Sequence, residues 1–218
     1  MTRVAGLVLA GGAATRMGGG DKPLLEVGGR PMLARILRTL EAELSDIAIS
    51  ANGDPARFAA LGRPVLDDGA FAGEGPLAGI LAGLDWAAAL DCSALLSVPG
   101  DTPFIPRGLP ALLAPPPACA VQGDRTHHLV ALWPVAARAD LRALLAAPRG
   151  ALGGRSVAQF GARIGMRGVE FATGPPWFVN VNTADDLAAA RLVAEGLDDA
   201  DGGDRGAGGD RPAPGTGA

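Results

Sequence analysis

The run Leu9-Ala10-Gly11-Gly12-Ala13-Ala14-Thr15-Arg16-Met17-Gly18-Gly19-Gly20-Asp21-Lys22 joins a glycine-rich stretch to one arginine and one lysine. Glycines let backbone N–H groups approach phosphate oxygens with no side chain in between. Arg16 and Lys22 add the positive charge that a triphosphate, carrying roughly four negative charges, requires around it. Lys22 is the only lysine in the chain, whose other long cationic side chains are all arginine. A compact ammonium on a flexible stem acts as a point charge on phosphate, a role that a planar guanidinium does not duplicate. The run lacks the Gly-Lys-Ser/Thr ending of a P-loop and the G-x-G-x-x-G spacing of dinucleotide folds, so neither of those ligand sites is indicated.

Five further groups could join this chemistry. Val98-Pro99-Gly100-Asp101-Thr102-Pro103 sets an aspartate directly after an apolar run. One carboxylate there suits a Mg²⁺ that keeps most of its water and bridges phosphate oxygens. An aspartate capping the turn ahead of Pro103 is the plainer reading, and the Lys22 loop tips the balance to the metal. Asp67 and Asp68 are candidates for contact with the same nucleotide or metal, against a reading as solvated loop acids. Gly75-Pro76-Leu77-Ala78-Gly79 offers a helix N-terminus with close backbone access for a base or phosphate. Phe178-Val179-Asn180-Val181-Asn182-Thr183 alternates apolar and polar residues, which sends Asn180 and Asn182 to one side. The only other asparagine is Asn52. His127 and His128 are adjacent and would point opposite ways in a strand, so they cannot jointly grip one ion. His127 with Arg125 is the candidate ligand contact.

The elements that must position these groups alternate short apolar runs with amphipathic stretches, the pattern of βαβ units and a largely parallel sheet. Strands are expected at 4–9, 47–51, 64–66 and 94–98, and a strand pair at 119–122 and 129–133. Helices are expected at 31–43, from Gly75-Pro76 onward, and at 135–146. Thr183 with Asp186 resembles a capping box that opens a last helix of about a dozen residues. In an open α/β sheet the carboxyl ends of strands line the ligand crevice, so Asp101 and the loop after the first strand should face one space. Residues 1–197 read as one domain. From 198 to 218 the chain is glycine, aspartate, arginine and proline without periodicity, and a disordered tail is expected there.

A chain of 218 residues forms a core without staples, and Cys92 and Cys119 are too few for a disulfide framework. No apolar run reaches the roughly 18 residues of a membrane span, and the one after Arg3 is too short for a signal peptide. A cytoplasmic protein with no membrane association is expected. The net charge of −4 disfavours a protein that wraps nucleic acid through broad phosphate contacts, and leaves open a nucleotide as a small ligand.

The loop from Leu9 to Lys22 with Gly29-Arg30-Pro31-Met32 behind it, then Gly75-Pro76-Leu77-Ala78-Gly79, Asp101-Thr102-Pro103 and the Asn180/Asn182 segment, resembles the molybdenum cofactor guanylyltransferases in the same order. The first motif is shared with the wider nucleotidyltransferase superfamily, and the others narrow it. The resemblance implies a three-layer Rossmann-like nucleotidyltransferase fold, with a mostly parallel sheet and helices on both faces. It implies transfer of GMP from GTP to the terminal phosphate of molybdopterin, with Mg²⁺ as cofactor and pyrophosphate released. Candidate partners are molybdoenzyme maturation proteins, and a monomer or weak homo-oligomer is expected. By the same resemblance Arg16, Lys22 and Asp101 serve catalysis, with Asp101 on the metal. Leu9, Ala10, Gly11, Gly12, Arg16, Lys22, Ser50, Asn52, Asp68, Gly79 and Asp101 would contact the nucleotide, and Arg125, His127, Asn180 and Asn182 the pterin. The chain departs from the family at Ser50, where an asparagine is common and Asn52 lies two residues on, and at His128, where a proline is common. A cytidylyltransferase acting on the same pterin would share the loop and the metal. A non-catalytic molybdopterin carrier would have no need of Lys22 and Asp101 to neutralise a leaving group.

Overall fold

Val4–Leu9 (β1) is apolar along its whole length because helices cover both of its faces. Ala5 and Leu7 point into one buried cluster and Val8 into another, as the two-residue period of a strand dictates. The computed structural model describes residues 3–11, 22–173 and 176–202. Gly12, Arg16 and Asp21 of the glycine-rich loop therefore lie outside the described residues, as does the tail from 203 to 218.

After the 3-10 turn Lys22–Leu24 come two short strands, Glu26–Val27 (β2) and Arg30–Pro31 (β3), paired antiparallel. Gly28 and Gly29 between them take φ of +57° and +68°, which only glycine adopts without strain. Pro31 belongs to this hairpin, so the first helix starts at Met32 rather than at 31. It spans Met32–Glu41 (α1) and buries Met32, Leu33, Ile36, Leu37 and Leu40. Ile47–Ser50 (β4), Val65–Leu66 (β5), Pro76–Ala89 (α2) and Ala94–Pro99 (β6) follow. The chain continues through Leu109–Leu113 (α3), Ala118–Gln122 (β7), Arg125–Pro134 (β8) and Arg138–Ala146 (α4). It ends with Val157–Arg163 (α5), Arg167–Phe171 (β9) and Ala184–Gly202 (α6).

The main sheet has seven strands in the order β5-β4-β1-β6-β8-β7-β9. Its pairings make β8 the one reversed strand and leave the other six mutually parallel. One face is covered by α1 and α3, the other by α2, α4 and α5. The expected three-layer α/β arrangement is thus present. The β2–β3 hairpin, α3, α5 and β9 went unforeseen. β9 is the strand at the sheet's edge and alternates weakly, with Arg167, Gly168 and Glu170 exposed, so it has no apolar run to announce it. α5 is a short helix of seven residues opened by a capping box at Ser156 and Gln159. α6 is longer than the dozen residues expected of it, spanning Ala184–Gly202. Extending an existing helix needs only one hydrogen bond per residue and no new nucleus, so its end need not coincide with the end of its apolar stripe.

α2 lies unusually close to the sheet. A methyl group on Gly83 would come within 2.6 Å of Leu7 and 2.9 Å of Leu95, and both leucines are fully buried. Gly83→Val is expected to lower stability by about 1–3 kcal/mol through overpacking, despite valine's better helix propensity. Urea unfolding of the two proteins measures it.

Candidate functional site

The register of the three central strands builds the site. Leu9 lies opposite Ser50 on one side and Pro99 on the other, so β1, β4 and β6 end at one level. The segments that leave them then share one crevice at the carboxyl edge, where an open α/β sheet places its ligands. Ala10 N–H donates to the Ser50 carbonyl at 2.8 Å, and Gly100 N–H to the Leu9 carbonyl at 2.9 Å. A Cβ at Gly100 would sit 3.1 Å from the Leu9 oxygen and 3.3 Å from Pro23, so glycine allows this close approach without displacing its neighbours.

The resulting cleft measures about 950 Å³, the upper range for a small-molecule site. Of the residues named from the sequence, Leu9, Ala10, Gly11, Lys22, Ser50, Asn52, Asp68, Gly79, Asp101 and Asn180 line it. At its centre the Lys22 ammonium donates to Asp101 Oδ2 and to Asn182 Oδ1, each at 2.7 Å. Both members of the ion pair are largely shielded, with side chains 16% and 23% exposed. A charge pair in such surroundings holds its geometry better than one on open surface.

Asn180 and Asn182 reach this centre by a route the sequence did not foretell. The segment forms no strand, and Phe178 adopts φ of +63°, rare for a bulky residue. Phe178 N–H donates to the Phe104 carbonyl at 3.0 Å and Val181 N–H to the Asp101 carbonyl at 2.9 Å. Phe178 and Val181 are fully buried while Val179 is exposed. Burial of Val181 between them, rather than sheet alternation, sends both amides toward the ion pair. Asn180 Oδ1 accepts from the buried Thr102 hydroxyl at 3.2 Å.

On the opposite wall Asn52 is latched to Asp68. Its amide nitrogen donates to Asp68 Oδ2 at 2.6 Å, and its oxygen accepts the Asp68 N–H at 3.0 Å. Asp67 instead accepts from Gly69 N–H at 2.7 Å, which makes it a turn residue rather than a cleft residue. Gly79 brings α2 against Ser50 so closely that a Cβ would stand 2.3 Å from Ser50 Oγ.

Arg125 and His127 lie on β8 at the same end of the sheet as Asp101 but do not line the cleft. His127 rests against Phe178, with ring centroids 5.1 Å apart. Burial, with Arg125 and His128 adding to it, pushes its imidazole below the ordinary histidine range, so it is neutral near pH 7. His128 faces the other side of the sheet, in a small groove with Cys119 and Met166. The two histidines diverge as adjacent strand residues must.

Sequence reasoning missed Arg57 and Leu129 in the cleft wall. Arg57 donates to the Asn52 carbonyl at 2.6 Å and stacks on Phe58. A single arginine in a 3-10 turn carries no pattern that could have marked it. Thr102 sat inside the quoted aspartate motif and was passed over, because only the fold shows that its hydroxyl is buried.

Among the described residues no three His, Cys, Asp or Glu side chains form a metal cluster. Any cation here would share Asp101 with oxygens of its substrate, an arrangement common for Mg²⁺ at phosphates. A glycine-walled crevice that sets Lys22 and Arg57 beside Asp101 and Asp68 places fixed charges where phosphate could be held during transfer.

Residues 6–164 match the family model described as the MobA-like NTP transferase domain. The chain is 53% identical over 185 residues to the molybdenum cofactor guanylyltransferase of Acidiphilium cryptum, covering 85% of this chain and 92% of that one. It is 49% identical over 193 residues to the molybdenum cofactor guanylyltransferase of Cereibacter sphaeroides, covering 87% and 96%. The fold resembles the crystal structure of molybdopterin-guanine dinucleotide biosynthesis protein A from Archaeoglobus fulgidus, with a TM-score of 0.64 at 19% identity, over 88% of this chain and 99% of that one.

The Asn182 end of the site is tied to α6 by Asp186, whose carboxylate accepts the Asn182 and Thr183 N–H groups at 2.8 and 2.9 Å. Those bonds, the Asn182 one foremost, hold the Asp186 pKa below its ordinary 3.8. A lowered acid contributes stability above its unfolded pKa and loses it as pH falls through the folded one. Asp186→Asn is therefore expected to be less stable than the parent at pH 7, with the difference narrowing below pH 3.8. Urea midpoints at pH 7 and pH 3 decide it, and a difference that does not change with pH would sink the idea.

Proposed function

Because the chain belongs to the molybdenum cofactor guanylyltransferases, within the MobA-like NTP transferases, we infer that it transfers GMP from GTP to the phosphate of molybdopterin and releases pyrophosphate. The observation that carries this reading is the Lys22–Asp101 pair, tied to Asn182, in the lining of a glycine-walled cleft.

The chemical difficulty is electrostatic, since an anionic phosphate must approach an anionic α-phosphorus. An oxygen of the molybdopterin phosphate forms the new bond to the α-phosphorus of GTP. The bond from that phosphorus to the oxygen bridging the α- and β-phosphates breaks, and its electron pair leaves with pyrophosphate. The attacking phosphate is already ionised near neutral pH, so no general base has to take a proton. His127, packed on Phe178, is left to a binding role.

The donor set fits Mg²⁺, which Asp101 would hold together with substrate phosphate oxygens. Bound there, the ion supplies positive charge where negative charge gathers during transfer. Lys22 adds a fixed ammonium beside it, held in line by Asn182. Arg16 supplies the second cation, in the part of the loop outside the described residues. Leu9, Ala10, Gly11, Gly12, Ser50, Asn52, Asp68 and Gly79 bind the nucleotide. Asn180 and Asn182 stand where the two substrates meet, and Arg125 and His127 lie farther along on the pterin side. No helix among the described residues is long and apolar enough to cross a membrane, and we place the reaction in the cytoplasm.

Lys22→Ala and Asp101→Ala should each cut pyrophosphate release from GTP with molybdopterin by about a hundredfold or more, as loss of a preorganised charge at the reacting phosphates requires. Lys22→Arg should not restore it, because the guanidinium fork cannot occupy the point between Asp101 and Asn182. Turnover like the parent's in either alanine variant overturns the assignment. Release that is faster with CTP than with GTP would turn the reading to the cytidylyl reaction.

A further inference from the structure

Glu74 stands between Gly73 and Gly75, which take φ of +90° and +71°. Both glycines, with Pro76 after them, form one wall of the cleft. A Gly-Glu-Gly stretch has little intrinsic preference for one shape, because each glycine opens regions closed to other residues. The Glu74 N–H donates to the Phe71 carbonyl at 3.1 Å and the Gly75 carbonyl accepts the Ala78 N–H at 3.1 Å, so backbone bonds hold the two ends and leave the Glu74 side chain to brace the stretch from outside. Its carboxylate supplies the rest of the hold.

Glu74 Oε1 lies 2.8 Å from Arg155 Nη1, and Oε2 lies 3.1 Å from Arg149 Nη2. The two partners are unequal. Arg149 is 71% exposed, and exposed pairs contribute little. Arg155 is only 9% exposed, and its second terminal nitrogen donates to the Ala147 carbonyl. Cutting a shielded pair on one side leaves the other charge uncompensated, so such pairs hold shape strongly. The Arg155 hydrogen bond is also the foremost reason that the Glu74 carboxyl sits below the usual carboxylate range.

The origin of Arg155 is itself anchored. The next residue, Ser156, opens α5 with a capping box, its hydroxyl accepting the Gln159 N–H at 3.1 Å. Gly154, on the other side, packs so tightly on Gln159 that a Cβ would come within 2.0 Å of it. The segment from 147 to 156 contributes no residue to the cleft wall, yet it sends a fixed cation to the one side chain that can immobilise the 73–76 turn. No part of the transfer chemistry explains why a buried arginine should meet a carboxylate at that position.

We propose that Glu74 and Arg155 are positioning residues for the nucleotide: their ion pair sets the 73–76 wall and through it the affinity of the cleft, with neither side chain touching the reacting atoms. The proposal rests on the reading that a nucleotide occupies this cleft. It separates affinity from chemistry, because the Lys22–Asp101 centre lies on different elements and keeps its own hydrogen bonds when the turn loosens.

The test uses the full chain, with GTP titrated by calorimetry and with steady-state pyrophosphate release, each well below the unfolding midpoint of the protein measured. Glu74→Ala and Arg155→Ala should each raise both the Kd and the KM for GTP by about tenfold, with kcat kept within about threefold of the parent. The double variant should be no weaker than the weaker single one, since both remove the same interaction. Arg155→Lys, which keeps the charge, should recover part of the lost affinity. Singles that bind GTP like the parent, effects that multiply in the double variant, or a fall in kcat at constant KM would each overturn the proposal. A parent protein that binds no GTP removes the nucleotide reading and this proposal together, an outcome distinct from all of these.

Discussion

The single lysine of the chain meets Asp101 at 2.7 Å across 79 residues of sequence, and much of the molecule serves to make that meeting possible. Two opposite charges shielded from water keep their geometry only if the backbones carrying them are fixed. Here the fixing is done by adjacent parallel strands, β1 and β6, ending in register at Leu9 and Pro99. The Gly100 N–H then bonds back to Leu9, and the absence of a side chain at Gly100 lets Pro23, next to Lys22, close over it. A register slip between the two strands would separate the lysine from its carboxylate, and a side chain at Gly100 would press on Pro23 beside it.

The third member of the centre comes from much farther away. Asn182 reaches Lys22 across 160 residues, on a segment that belongs to no strand. It hangs on residues 101–104 by two backbone hydrogen bonds and is drawn inward by Phe178 and Val181. Beyond it α6 packs Ala190 and Ala194 onto Val27 and Met32, so the small β2–β3 hairpin, ahead of α1, becomes the dock for the last helix. Gly28 is part of that dock, since a Cβ there would collide with Ala194 at 2.7 Å. An early hairpin and the last helix are thus closed on each other beside the Lys22–Asp101 pair, and the site draws on segments from far apart in the chain.

The two sides of the cleft are built differently. The Lys22 side is made of side chains joined by short charged hydrogen bonds. The α2 side is made largely of backbone and glycine, with Gly73, Gly75 and Gly79 letting a ligand come close. Backbone walls give close approach but little stiffness of their own, so their rigidity has to come from outside. The packing of α2 on Leu7 and Leu95 supplies part of it, and the Glu74–Arg155 pair supplies the rest. Electrostatic work and shape are in this way assigned to separate parts of one crevice.

The class of fold was legible in the local pattern of the chain, and so were most of the candidate residues that come together in the cleft. Apolar runs at strand spacing and stripes at helix spacing are local properties, and they placed β1, β4, β6, α1 and α2 within a few residues. The lone lysine, the aspartate after a buried strand and the two asparagines stood out because their types are rare or their neighbours apolar. What only the tertiary structure decided is where those residues meet. β9 and α5 lack strong local periodicity, so sheet pairing and capping created them. Asn180 and Asn182 converge through the burial of Val181 and the turned backbone at Phe178, and not through a strand's alternation. Arg57, Thr102 and the Glu74–Arg155 bridge carry no local signal at all. Such contacts join residues far apart in the chain, and their energy exists only once the strands between them have paired.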